Sequence, residues 1–270
     1  MRDAIVRFFK GPDLLPETKR TYRRHIAQVL CEATAEGLLA NAPVIALKSM
    51  GSPDWQMAIE KTISSIGLFV VIYFAGLMAA RKKMPFFFYP GLGFAICSLL
   101  MGLTDNPFLF LMLWGFGALF HNMLRPALAA IVRFNYPVEK RGAITGEIRK
   151  WYNAIFVISV LLSAALLQWV DQNPKNMIRG QMFAAAFLLT LGYLIFRTIR
   201  VKEDVKVFEK RRPVSVGKVI ADSYRIVRND SRFRRYLLVG SLHGFGVIVT
   251  ATFIPVLLTK KLHFNYIGAA

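Results

Sequence analysis

Trp151-Tyr-Asn-Ala-Ile-Phe-Val-Ile-Ser-Val-Leu-Leu-Ser-Ala-Ala-Leu-Leu-Gln-Trp169 is the stretch whose reading decides the fold. It carries no charged residue. Its two indoles, 18 positions apart, would stand about 27 Å apart along a helix at 1.5 Å per residue. That is close to the roughly 30 Å hydrocarbon core of a bilayer, and indoles favour its two interfaces. The segment from Tyr152 to Val170 therefore reads as a membrane-crossing helix.

Six further apolar runs of similar length lie outward from it: His25 to Leu47, Met57 to Ala80, Phe86 to Leu103, Pro107 to Val132, Met177 to Phe196 and Tyr236 to Thr259. Seven such runs, a mean hydropathy of +0.42 and 55% hydrophobic residues exceed what one soluble core requires. The fold class expected is all-α, a polytopic membrane protein with seven transmembrane helices.

The chain has 35 Lys and Arg against 16 Asp and Glu, a balance that on a soluble protein would suggest nucleic acid. Here the cations lie in short hydrophilic stretches between apolar runs, so the membrane surface is the expected partner and nucleic acid is not. The N-terminal arm and the connections after the second, fourth and sixth runs hold 28 of them. The opposite side holds six: Lys48, Lys61, Lys175, Arg179, Lys260 and Lys261. One more, Arg125, lies deep within a span. Because cytoplasmic loops retain Lys and Arg, the N-terminus is expected in the cytoplasm of a multi-pass protein of the cell membrane.

The expected organisation is a cytoplasmic arm over 1–24, a six-helix bundle over 25–198, a basic cytoplasmic loop over 199–235, and a seventh helix over 236–270 that opens a second half. Within the loop, Val216, Val219, Ile220, Ile226 and Val227 suit a short amphipathic helix on the membrane surface, with Lys218, Arg225 and Arg228 toward headgroups. Tyr266 to Ala270 reads as the opening turn of another span, so the polypeptide is expected to continue.

Catalytic chemistry finds no support. Cys31 and Cys97 both sit in apolar runs, and His25, His121, His243 and His263 are dispersed without paired metal-ligand spacing. No phosphate-cradling Gly-Lys-Ser/Thr loop or nucleophile elbow occurs. The chain is read as a non-enzyme without a cofactor.

Ionisable residues inside the apolar runs are costly, and usually face water or one another. Gln28, Glu32 and Glu36 recur every four positions in the first run, which stacks them on one helix face. His121 and Arg125 do the same in the fourth. Glu32 is eight residues past Arg24, and Arg125 eight before Arg133. Glu36 and His121 are each twelve from those arginines. These counts define two levels, roughly 12 Å and 18 Å deep. An acid would meet a base at each, Glu32 with Arg125 and Glu36 with His121. Such a ladder could bind solute, a proton or both; the plain alternative is a structural pair locking two helices. Asn122 and Trp114 could face the same cavity, and His243, level with Glu32, could complete it.

Six spans, a long basic connection and a second set form a layout that resembles the major facilitator superfamily. Lys48-Ser-Met-Gly-Ser-Pro-Asp-Trp-Gln56 is similar to the short outer loop after the first helix of such transporters. Ala75-Gly-Leu-Met-Ala-Ala-Arg-Lys-Lys83 resembles their loop between helices two and three, with Gly76 and Arg81 in place and Ala80 where the family has Asp. Gly115-Phe-Gly117, Pro126 and Tyr136-Pro-Val-Glu-Lys-Arg-Gly142 resemble the fourth helix and its following loop. Pro43 with Lys48, and Pro255 with Lys260, share a five-residue spacing that suits parallel repeats. The resemblance implies a secondary transporter, helices one and four lining a central cavity, and a small-molecule solute and protons as partners. A truncated, non-transporting membrane protein is the rival reading, and a seven-helix receptor a weaker one.

Overall fold

The computed structural model of the chain describes residues 15–78, 81–169, 174–202, 216–262 and 264–269. The arm up to residue 14, Ala80, Val170, the linker over 203–215 and His263 lie outside the described residues. All regular elements among the described residues are helical: α1 (Pro16–Leu39), α2 (Ala42–Lys48), α3 (Asp54–Met78), α4 (Lys83–Leu103), α5 (Pro107–Asn135), α6 (Val138–Trp169), α7 (Pro174–Arg197), α8 (Val216–Asn229), α9 (Ser231–Val256) and α10 (Tyr266–Ala269). A π-helical turn, Leu257–Lys261, follows α9.

Five stretches are long and apolar enough to cross a membrane: α1 with α2, then α4, α5, α6 and α7. The other two expected spans coincide with α3 and α9, 25 and 26 residues long. Large apolar side chains face outward where no protein covers them. Ile158 on α6 and Phe187 on α7 are 60% and 67% exposed, which suits lipid as the neighbour and would be costly in water.

The first span is not one helix. Pro43 lacks an N–H and its ring clashes with the carbonyl four residues back, that of Leu39. The helix therefore stops at Leu39 and α2 starts afresh after a turn at Ala40 and Asn41. Buried Asn41 turns its amide onto the Val160 carbonyl (3.3 Å) and the Ser163 hydroxyl (3.1 Å) of α6. Pro255 marks the corresponding place in α9, shortly before the π-helical turn.

Two stretches read as loops from their charge are helical. α1 begins at Pro16, a favoured first-turn residue, with Glu17 beside it at the positive end of the helix dipole. α6 begins at Val138, so the connection before it shrinks to Tyr136 and Pro137. The early turns of α6 bury Ile144 and Ile148 against Tyr22, Ile26 and Val29 of α1. Charge is tolerated there because only one stripe of each helix faces the partner.

Helix α1 packs on α6 and α7, while α5 packs on α3 and α4, and α4 joins α7. Two contacts show how closely the rods approach. A Cβ on Gly37 would lie 2.4 Å from the Ser159 Cβ, and one on Gly91 would lie 2.8 Å from the Tyr193 ring. Gly93 and Gly117 are similarly crowded by Phe120 and Phe94. At Gly240, Gly244 and Gly246 no described atom lies within 4 Å.

One end of the bundle is tied by Arg24 to the Thr198 carbonyl (2.6 Å), His25 to the Tyr136 hydroxyl (3.1 Å) and the Lys202 N–H to Asn135 Oδ1 (3.1 Å). Burial raises the Tyr136 phenol well above its ordinary pKa. At the other end the segment after α9 docks on the α2–α3 connection. The Tyr266 side chain is buried, meets Ser49 by its hydroxyl, and lies under Lys48 at 4.4 Å. Its N–H donates to Gln168 of α6 (3.1 Å), and Lys260 pairs with Asp54. Gly51, with φ of 67°, makes the turn that presents this surface, a conformation a Cβ would strain.

Candidate substrate and ion site

The polar face of α1 is the spine of the site. Gln28, Glu32 and Glu36 line it at one-turn intervals, and Gln28 donates through Nε2 to Glu32 Oε2 at 2.6 Å. Across from them stands His121 of α5, with Nδ1 2.9 Å from Glu36 Oε1 and 3.7 Å from Glu32 Oε1. One imidazole thus serves both carboxylates. The edge of Phe94 on α4 backs its ring at 5.6 Å.

Two tyrosines complete the constellation. Tyr152 of α6 donates its hydroxyl to Glu36 Oε2, and Tyr193 of α7 donates to Glu32 Oε1 at 3.3 Å. Tyr193 is fully buried, its ring set on Gly91 and edge-on to Phe87. Four helices therefore converge on two carboxylates. Hydrogen bonds to charged groups are worth about 1.5–3 kcal/mol each, and a buried carboxylate stripped of them costs more. The tyrosines are what permits two acids to stay beneath the surface.

Of the expected pairs, Glu36 and His121 lie together. Glu32 and Arg125 do not: Arg125 is exposed, and among the described residues no carboxylate lies within 4 Å of its guanidinium. Glu32 is satisfied by Gln28, Tyr193 and His121 instead. Asn122 is half-buried beside His121. Pro126 supplies no N–H to its carbonyl, one turn back. Trp114 turns a buried indole N–H that meets no acceptor. His243 is exposed on α9, a helix that packs on α2 and α3 and contributes nothing to this cluster among the described residues.

Tyr152 and Tyr193 escaped the sequence reading. A tyrosine next to Trp151 reads as an interface anchor, and one near the end of a run reads as core. The available signal was depth: both lie on the same half of their spans as the acids.

A family model described as the Major Facilitator Superfamily matches residues 26–270. The chain also resembles a solved bacterial homologue of the human drug peptide transporters PepT1 and PepT2, at a TM-score of 0.55 and 14% identity. The likeness covers 88% of this chain and 57% of that one, so the chain spans little more than half the length of that transporter. No curated protein matches by sequence. The matched family is one of membrane transporters of small solutes, not of enzymes. The extent of the family match, reaching from α1 past α9, places this helical membrane protein in the Major Facilitator Superfamily.

Proposed function

We propose that the chain belongs to a secondary active transporter that moves a small polar or anionic solute across the cytoplasmic membrane by alternating access, coupled to protons. The observation that carries this reading is the buried Glu32–Glu36–His121 group at the seam between α1 and α5, helices that pack on different partners. Ionisable groups at such a seam are expensive unless water, ions or solute reach them. Opening and closing the seam would change which of them are hydrated, and so exchange a proton.

The charge count supports an inside N-terminus, an arm over 1–24, a bundle over 25–198, a cytoplasmic loop over 199–235 with α8 on the membrane surface, and 236–270 as the start of a second half. With that orientation the docked Tyr266 and Lys260 close the outer end, and exposed Arg125 faces the cytoplasmic opening. Ligand-induced thermal shifts on the full-length protein would identify a solute, and uptake into proteoliposomes would follow. The reading expects Glu36→Gln to abolish proton-dependent uptake. Near-normal uptake by both Glu36→Gln and Arg125→Gln would overturn it.

A further inference from the structure

Glu36 Oε1 and His121 Nδ1 stand 2.9 Å apart as an ion pair, both atoms shielded from solvent. Gln28, also fully buried, bonds Glu32 through Nε2 and leaves Oε1 without a donor. A buried polar atom left unpaired costs about 1–3 kcal/mol, and among the described residues Gln28 carries one beside two acids and an imidazole.

One donor atom from each of Glu32, Glu36 and His121 lies within 4.8 Å of the other two. For a metal bound at about 2.0–2.1 Å, neighbouring donor atoms are separated by roughly 2.9 Å at right angles and about 3.3 Å at tetrahedral angles. His121 Nδ1 stands 2.9 Å from Glu36 Oε1, at the right-angle value, and 3.7 Å from Glu32 Oε1, beyond the tetrahedral one, so Glu32 would close on a bound ion. The outer partners are also those a metal centre uses. Tyr152 holds Glu36 by its other oxygen, and Gln28 and Tyr193 hold Glu32, which fixes the carboxylates in place. Two carboxylates bring a formal charge that a divalent cation would neutralise in full.

We propose that Glu32, Glu36 and His121 also form a binding site for a divalent transition-metal cation, which exchanges with protons at the transport site and so rests on that reading. Carboxylate oxygens with one imidazole and no thiolate suit Mn2+, Fe2+, Co2+ or Zn2+ rather than Mg2+ or Cu+. Three protein donors leave coordination positions open to a polar or anionic solute, with Asn122 next to His121 and Arg125 one turn along α5. Protons and metal compete for the same lone pairs, so binding releases protons and weakens as pH falls. The titratable and charged groups around the site are Glu32 and Glu36 on α1, His121 and Arg125 on α5, Tyr152 on α6 and Tyr193 on α7; Phe94 faces it from α4.

The test is Co2+ and Zn2+ titration of chelator-stripped, full-length protein in detergent, followed by visible absorption for Co2+ and calorimetry for Zn2+. The expected result is one site per chain, weakened by about 100-fold or more in Glu36→Gln and His121→Gln, and by about 10–100-fold in Tyr193→Phe. His243→Gln should leave it unchanged. Absence of binding to the wild type, or binding lost with His243→Gln and kept by His121→Gln, overturns the inference. Near-ultraviolet circular dichroism of each variant separates lost ligands from lost fold. If metal binding fails while proton-driven uptake still depends on Glu36, the transport reading stands alone. If the metal binds but Glu36→Gln transports normally, the site is a structural metal centre and the transport reading falls.

Discussion

Gly91→Ala puts one methyl group between α4 and α7, and the structure sets its consequence. The new Cβ would sit 2.8 Å from Cγ and Cδ2 of Tyr193 and 2.9 Å from Cδ1. Ordinary carbon contacts need about 3.4 Å or more, so the ring or the helices must give by roughly 0.6 Å. The ring has no easy exit, since Tyr193 is fully buried and edge-on to Phe87 at 5.6 Å. Overpacking of this kind costs about 1–3 kcal/mol. The Tyr193 hydroxyl is already 3.3 Å from Glu32 Oε1. The same displacement carries it beyond bonding range and strips a donor from a buried carboxylate, at a further cost of about 1–3 kcal/mol. Unfolding in mixed micelles should therefore show Gly91→Ala destabilised by about 2–6 kcal/mol in sum. A double-mutant cycle sharpens the point. Tyr193→Phe should be costly in the wild type and nearly free in the Gly91→Ala background, because the bond it removes is already broken. Wild-type stability in Gly91→Ala, or an equal cost of Tyr193→Phe in both backgrounds, would refute the reasoning.

Five other substitutions probe the frame. Gly37→Ala should be more damaging still, since its Cβ meets the Ser159 Cβ at 2.4 Å and the Phe156 carbonyl at 2.9 Å; Gly240→Ala, with no described neighbour within 4 Å, should change stability by less than about 0.5 kcal/mol in the same unfolding assay. At the docked end, Lys260→Ala removes a half-exposed ion pair worth at most about 1 kcal/mol. Tyr266→Ala empties a buried aromatic site and should release the segment, seen as a broadened spin-label distance between positions 49 and 264. Tyr136 lies outside the spans and its folded pKa is raised. The folded state therefore holds a proton that the unfolded chain loses near pH 10, so stability is flat below about pH 10 and falls as pH rises further. Tyr136→Phe should remove that alkaline slope in pH-dependent unfolding; an unchanged slope would assign it elsewhere.

The spans were legible because an apolar run of about 20 residues has few fates other than lipid. The nearness of Glu36 to His121 was legible for a simpler reason: helical rise is constant, so counting from Arg24 and Arg133 measures depth. Depth is only one coordinate. It could not say that Arg125 would turn to water, that His121 would serve Glu32 as well, or that Tyr152 and Tyr193 would come round from two other helices. Those facts depend on which faces pack, and the glycines that set the packing read the same whether crowded, as Gly91 is, or free, as Gly240 is. Charge misled in one respect. The basic residues after the fourth run suggested a loop, but Lys140, Arg149 and Lys150 lie exposed on a helix whose Ile144 and Ile148 are buried.

The most direct measurement is the chemical accessibility of α5 in a membrane. With Cys31 and Cys97 replaced by serine, Asn122→Cys and the lipid-facing control Ile158→Cys would be reconstituted as full-length protein in sealed vesicles of known orientation. Each would be treated with a membrane-impermeant thiol reagent from one side at a time. A water-filled path to Glu36 and His121 predicts rapid labelling of Asn122→Cys from the cytoplasmic side and almost none of Ile158→Cys from either. If Asn122→Cys proves as inert as Ile158→Cys from both sides, the buried acids and histidine lock helices together and bind nothing that crosses the membrane.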